Sequence, residues 1–130
     1  MEFITKESGT KVVLNPAGFL EAFRLKASIE RALLKEKINI EEAIQQDLSG
    51  ILIALDCSED VLNNVFICLR KSTYGGAKIT FETFEQDEAK ADLYEILFYC
   101  LKVNIYPFFK PLLSRLGIEL KEPTFGESPK

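Results

Sequence analysis

One stretch restricts the fold of this chain more than any other. Leu93-Tyr-Glu-Ile-Leu-Phe-Tyr-Cys-Leu-Lys-Val-Asn-Ile-Tyr-Pro-Phe-Phe-Lys-Pro-Leu-Leu113 is apolar, rich in aromatics and helical in its spacing, and it runs into two prolines, Pro107 and Pro111. Leu93, Ile96, Leu97, Cys100 and Leu101 fall on one helical face, and Tyr94 and Phe98 widen it. Proline has no backbone N–H and its ring clashes with the preceding turn. A helix over roughly 88–103 is therefore expected to break near Val103 to Ile105, and a second short helix should run from Pro107 to Leu116 and stop at Gly117.

The rest of the chain carries similar punctuation. Phe3-Ile4-Thr5 and Lys11-Val-Val-Leu14 flank Ser8-Gly9-Thr10 and read as a short hairpin over about residues 1–14. Two strands alone are marginal, so this hairpin must lean on something else. Asn15-Pro16 reads as the N-cap and first position of a helix extending to about Glu36. Its apolar residues form two stripes, Ala22, Leu25, Ile29 and Leu33 beside Leu20, Phe23, Ala27 and Leu34. A face that wide predicts burial on two sides. A helical turn begins at Ile40, and Leu48 to Leu55 is apolar almost all round, as a central helix or a buried strand. Ser58 followed by Glu59 and Asp60 predicts the capped start of a helix to Lys71, with Leu62, Val65, Phe66 and Leu69 on one face. Gly75 or Gly76 supplies a positive φ after it. Ala77 to Thr80 can be extended, and Thr83 or Asp87 can cap the next helix. The expected architecture is mainly α, a compact single domain of about five helices over residues 1–120 with an N-terminal hairpin, and a flexible tail at 121–130.

The chemistry available is limited. The chain has no histidine, which removes a Ser-His-Asp triad, a Cys-His pair and nearly all catalytic zinc sites. Cys57, Cys68 and Cys100 lack a C-x-x-C spacing and read as small buried residues in a reducing compartment. Glu82, Glu85, Glu88 and Asp92 fall at helical spacing, as do Asp56, Glu59 and Asp60, and none sits in an apolar motif that would shift a pKa. No phosphate-binding glycine motif accompanies Gly75-Gly76. A net charge of −4 argues against nucleic-acid binding, leaving Arg70, Lys71 and Tyr74 as a small basic cluster between acidic stretches. The longest apolar runs are too short for a membrane span. The expectation is a protein without enzymatic activity or cofactor.

What remains is apolar surface. Tyr94, Phe98, Tyr106, Phe108, Phe109 and Leu112 are the candidate partner-binding residues, held in shape by the proline kink unless they form the core instead. The wide apolar faces exceed what one small core can cover, which points to a homo-oligomer as well.

The order of motifs resembles a known family. Val13-Leu-Asn-Pro-Ala-Gly-Phe-Leu-Glu-Ala-Phe-Arg-Leu-Lys-Ala-Ser-Ile29 is followed by Ser58 to Leu69, Ser72-Thr-Tyr-Gly-Gly, Ile79-Thr80, Phe84-Glu85, Leu93-Tyr-Glu-Ile and Val103-Asn-Ile-Tyr-Pro-Phe-Phe109. This arrangement, over Val12 to Leu113, is similar to the tail assembly chaperones of bacteriophages with long non-contractile tails. The resemblance implies a protein of the host cytoplasm that binds the tape-measure protein and keeps it soluble until the tail tube polymerises around it, with the tail tube protein as a second partner. The alternative it leaves open is a structural tail or head-tail joining protein retained in the virion. It supplies no catalytic residues.

Overall fold

The computed structural model describes residues 1–55, 59–115 and 117. Its elements, in chain order, are β1 (Glu2–Ile4), β2 (Lys11–Val13), α1 (Phe19–Lys35), α2 (Ile40–Gln46), α3 (Leu48–Ala54), α4 (Glu59–Cys68), β3 (Thr73–Tyr74), β4 (Ala77–Lys78), a 3-10 turn (Phe81–Glu85), α5 (Asp87–Asn104) and α6 (Tyr106–Arg115). The fold is mainly helical with a short N-terminal hairpin, as the periodicity predicts. The expected tail at 121–130 and the expected cap at Ser58 lie outside the described residues.

The hairpin is not isolated. β1 and β2 pair antiparallel, β2 continues onto β3, and β3 onto β4, giving a four-stranded sheet in the order β1-β2-β3-β4. Gly75 and Gly76 have φ of 59° and 85°, the pair of positive values that a two-residue hairpin turn of the primed type requires. They therefore turn β3 into β4 rather than end a helix. α4 stops at Cys68, sooner than expected, and Arg70 and Lys71 lie beyond it.

α1 also starts later than Asn15-Pro16 suggests. The Asn15 side chain is engaged elsewhere: its Nδ2 donates to the Lys71 carbonyl at 2.7 Å, and its backbone N–H donates to Ser72 Oγ at 3.1 Å. It cannot also cap. Gly18 is the residue before the helix and offers no side-chain cap, while Asn104 Oδ1 accepts from the Ala17 N–H at 2.8 Å from the far end of α5. At its other end α1 closes with Ile38 N–H bonding the Leu33 carbonyl and Lys37 N–H bonding the Leu34 carbonyl, with Lys37 at φ 58°. That is a Schellman closure with lysine where glycine is usual.

α5 is the central element. Ile96, Leu97, Phe98, Tyr99, Cys100 and Leu101 are all buried along it, and α3, α4, α6 and the 3-10 turn pack around it. α1 packs along α4 and presents its inner stripe, Ala22, Leu25, Ile29 and Leu33, to the same core. Asn39 caps α2 by accepting from the N–H groups of Glu41 and Glu42. α3 is a helix whose Leu48 and Leu52 are buried and whose Ile53 faces outward, so it is less central than its composition suggests. Neither Thr83 nor Asp87 caps α5. Thr83 Oγ1 accepts from the Thr80 N–H and closes the 3-10 turn, and α5 begins after Gln86 with no side-chain cap. The break at Pro107 falls where expected: α5 ends at Asn104, Ile105 bridges, and Pro107 takes the first turn of α6, where its missing N–H costs nothing. α6 ends before Gly117, whose φ is 68°.

Candidate partner-binding surface

The two stripes of α1 meet different fates. The inner one is buried. The outer one is largely open: Leu20 is 54% exposed, Phe23 47% and Leu34 74%, with Ala27 half-buried, and Phe19 beside the stripe is 73% exposed. The expectation of burial on two sides is thus met on one side only, because no described element covers the second face of α1. Leu20, Phe23 and Ala27 follow one another at three- and four-residue steps and Leu34 lies seven residues further on, the heptad spacing by which one helix takes another, with Glu30 and Arg31 between. Large side chains this exposed on one helix face are the usual mark of a contact surface.

At its N-terminal end the outer stripe is joined by α6. The Phe19 and Phe23 rings are 5.9 Å apart, and Phe108 lies 6.0 Å from the first and 6.3 Å from the second. Lys26 roofs the inner margin, with its Nζ 5.7 Å from the Phe23 centroid and 5.4 Å from that of Phe109, and it is held there by Glu30 at 2.6 Å. The result is an aromatic ledge made by one face of α1 and one residue of α6, with a cation at its inner edge. Proline fixes the direction in which α6 leaves α5, and so fixes Phe108 against α1.

The six residues nominated from sequence divide. Phe108 is half-buried and belongs to the ledge. Phe98, Tyr106 and Phe109 are buried, at 4%, 6% and 7% exposure, and are core rather than surface. Phe98 meets Tyr106 nearly edge-on at 6.2 Å. Burial pushes the Tyr106 hydroxyl up to about 12. Tyr94 is half-buried, and its hydroxyl donates to Asp47 Oδ2 at 2.5 Å. Its pKa is raised first by burial and then by that carboxylate. Leu112 lies in α6, and its side chain is outside the described ones. Sequence reasoning missed Phe19, Leu20 and Phe23 as surface, although the signal was present in the width of the α1 pattern.

A second cluster sits under the sheet. Asp92 is fully buried and accepts from Ser8 Oγ at 2.5 Å, Tyr74 OH at 2.6 Å and Ser8 N–H at 3.3 Å. One turn further, Glu95 is 4% exposed and accepts from the Lys6 N–H at 2.9 Å. Its pKa is raised, first by burial and then by the charges of Asp92 and Glu7, with the Lys6 contacts acting the other way. The reading that no carboxylate is embedded is therefore corrected: these two are, because the loop between β1 and β2 folds over them. Asp92 separates in space from Glu82, Glu85 and Glu88, which are exposed on the 3-10 turn and the first turn of α5. The cluster is a structural latch. Ser8 and Tyr74 occupy both Asp92 oxygens and the Lys6 N–H occupies Glu95 Oε1, and neither residue lines a described pocket.

Cys68 and Cys100 are buried free thiols, pushed by burial up to about 11 and about 12, which leaves them protonated and inert at neutral pH. Among the described residues no group of three or more His, Cys, Asp or Glu side chains could hold a metal ion, and no helix is long and apolar enough to cross a membrane. Comparison of the chain with known protein families, with curated proteins and with solved structures finds no match.

Proposed function

We propose that this chain is a tail assembly chaperone of a bacteriophage with a long non-contractile tail. In this reading it acts in the host cytoplasm as a binding protein with no chemistry of its own. It holds the helical tape-measure protein soluble until the tail tube, its second partner, forms around it. The observation that carries the reading is the ledge of Phe19, Leu20, Phe23 and Phe108, continued along α1 to Leu34. A tape-measure chain exposes long amphipathic helix, an aggregation hazard that a seam-spaced apolar face can cover reversibly. The order of motifs from Val13 to Phe109 supports it from the sequence side.

The test is co-expression with a helical fragment of the tape-measure protein from the same phage. The fragment is expected in the supernatant and in a complex with the chain. Phe19→Asp and Phe23→Asp together should abolish both while leaving the circular dichroism of the chain unchanged, since Phe19 is 73% and Phe23 47% exposed and neither belongs to the buried core. A fragment that stays insoluble, or one that co-purifies equally well with the double variant, overturns the reading. Mass spectrometry of purified particles separates the chaperone from a retained tail or head-tail joining protein, because a chaperone leaves the mature virion.

A further inference from the structure

The two edges of the sheet are complementary. The register places Glu2 opposite Val13, Val13 opposite Thr73, and Thr73 opposite Lys78. One cross-strand row therefore begins at an acid on the β1 edge and ends at a base on the β4 edge. Both side chains belong to exposed residues. The hydrogen bonds fix where their backbones point. On the β1 side the bonded positions are Met1 with Leu14 and Thr5 with Thr10, so in the alternation of an antiparallel ladder Glu2 and Ile4 turn their N–H and C=O away from β2. On the β4 side Ile79 N–H bonds the Ser72 carbonyl, so Lys78 turns its own N–H and C=O away from β3.

Direction agrees as well. The strands alternate along β1-β2-β3-β4, so β1 of a second copy laid beside β4 runs antiparallel to it and continues the alternation without a break. With Glu2 of that copy opposite Lys78, the row passes from one molecule to the next as a hydrogen-bonded pair. Met1, 44% exposed, then stands opposite Ile79, at the mouth of a cleft of about 440 Å³ whose walls include Phe66, Ile79 and Phe81 and whose rim carries Arg70. Phe81 is 58% exposed and lies 4.1 Å from Phe66, leaving an apolar bed open beside the edge. Among the described residues of one copy Glu2 pairs with Lys11, 3.8 Å away and itself mostly exposed, a pairing too weak to hold it back.

We infer that copies of this chain join head to tail, the β1 edge of one adding to the β4 edge of the next with Glu2 beside Lys78 and Met1 over the Phe66–Phe81 cleft. Such a contact uses two different surfaces of one molecule, so it propagates into a ring or an open helical assembly instead of closing as a dimer. It uses none of the α1 ledge, and it stands whether or not that ledge binds a tape-measure protein.

The test is sedimentation velocity of the full chain at low ionic strength over rising concentration. The wild type is expected to grow past a dimer. Glu2→Lys and Lys78→Glu place like charges across the junction, and each should weaken self-association roughly tenfold with no change in circular dichroism or melting temperature. An equimolar mixture of the two variants should recover the association, because every alternating junction again joins opposite charges, and the doubly exchanged Glu2→Lys/Lys78→Glu chain should recover it alone. A chain monomeric at every concentration overturns the inference. So does an association indifferent to either substitution, as contact through β1 alone would be to the change at Lys78. A mixture that stays dissociated overturns it too.

Discussion

The two halves of α5 bury their inward faces by opposite means. From Ile96 to Leu101 the helix is dry: Phe98 and Tyr99 stack edge-on at 5.2 Å, and the neighbours are apolar. From Ala89 to Glu95 the same helix buries two carboxylates under the sheet and satisfies them with Ser8, Tyr74 and the Lys6 backbone. A dry contact tolerates rearrangement and asks only for volume. A polar contact in low dielectric asks for every partner, because a buried group left unpaired loses its solvation for nothing. The first half of α5 thus specifies where the hairpin sits, and the second half supplies most of the cohesion.

The largest expected effect tests the dry half. Phe98→Ala should cost about 3–5 kcal/mol in urea unfolding, the range for deleting a large buried ring. Phe108→Ala removes the same ring from a half-exposed place and should cost about 1 kcal/mol. If the two costs were equal, Phe108 would be core, and the distinction between core aromatics and the ledge would be lost.

The polar half should respond next. Asp92→Ala removes the acceptor shared by Ser8 and Tyr74, leaves the Ser8 N–H without it, and should cost about 2–3 kcal/mol. Because Ser8 gives Asp92 two of its three hydrogen bonds, Ser8→Ala should lose much of its own effect once Asp92 is gone. Additive losses from the two substitutions in a double-mutant cycle would mean that Asp92 does not hold the hairpin.

The difference between the halves also decides what was legible in the sequence. The dry pattern is written in spacing, so Leu25, Ile29, Leu33, Ile96 and Leu101 were readable as core, and Pro107 placed the break within a residue. The polar pattern is written in tertiary contact. Asp92 and Glu95 look like any solvated acids until the loop at Ser8 arrives from more than eighty residues away. Asn15 looked like a cap because capping is a local rule, and the distant Lys71 carbonyl outcompeted it. The ledge was half legible. The double stripe on α1 showed excess apolar surface, but spacing cannot tell a face covered by the same chain from one left open, and in Phe98, Tyr106 and Phe109 the strongest aromatic signal belonged to the core. β3 and β4 are two residues each, too short to give a period of their own.

The smallest effect is the most specific, because it reads one proton. Burial raises the pKa of the Glu95 carboxyl above the ordinary glutamate value in the folded chain, so folding favours its protonated form. The stability gained from that preference is fully present below the unfolded pKa and is lost as pH rises through the folded one. In the wild type, Glu95 therefore weakens the fold progressively as pH rises above the ordinary glutamate range. Glu95→Gln keeps a carbonyl oxygen for the Lys6 N–H and removes the charge that faces Asp92 and Glu7. Its stability relative to the wild type should climb as pH rises out of the ordinary glutamate range and level off once the raised pKa is passed, measured by urea midpoints at matched ionic strength. A difference that stays flat would mean that Glu95 reaches water when ionised. A difference that falls would mean that its negative charge helps to hold the hairpin, and the two halves of α5 would then differ in the sign of what they bury as well as in its chemistry.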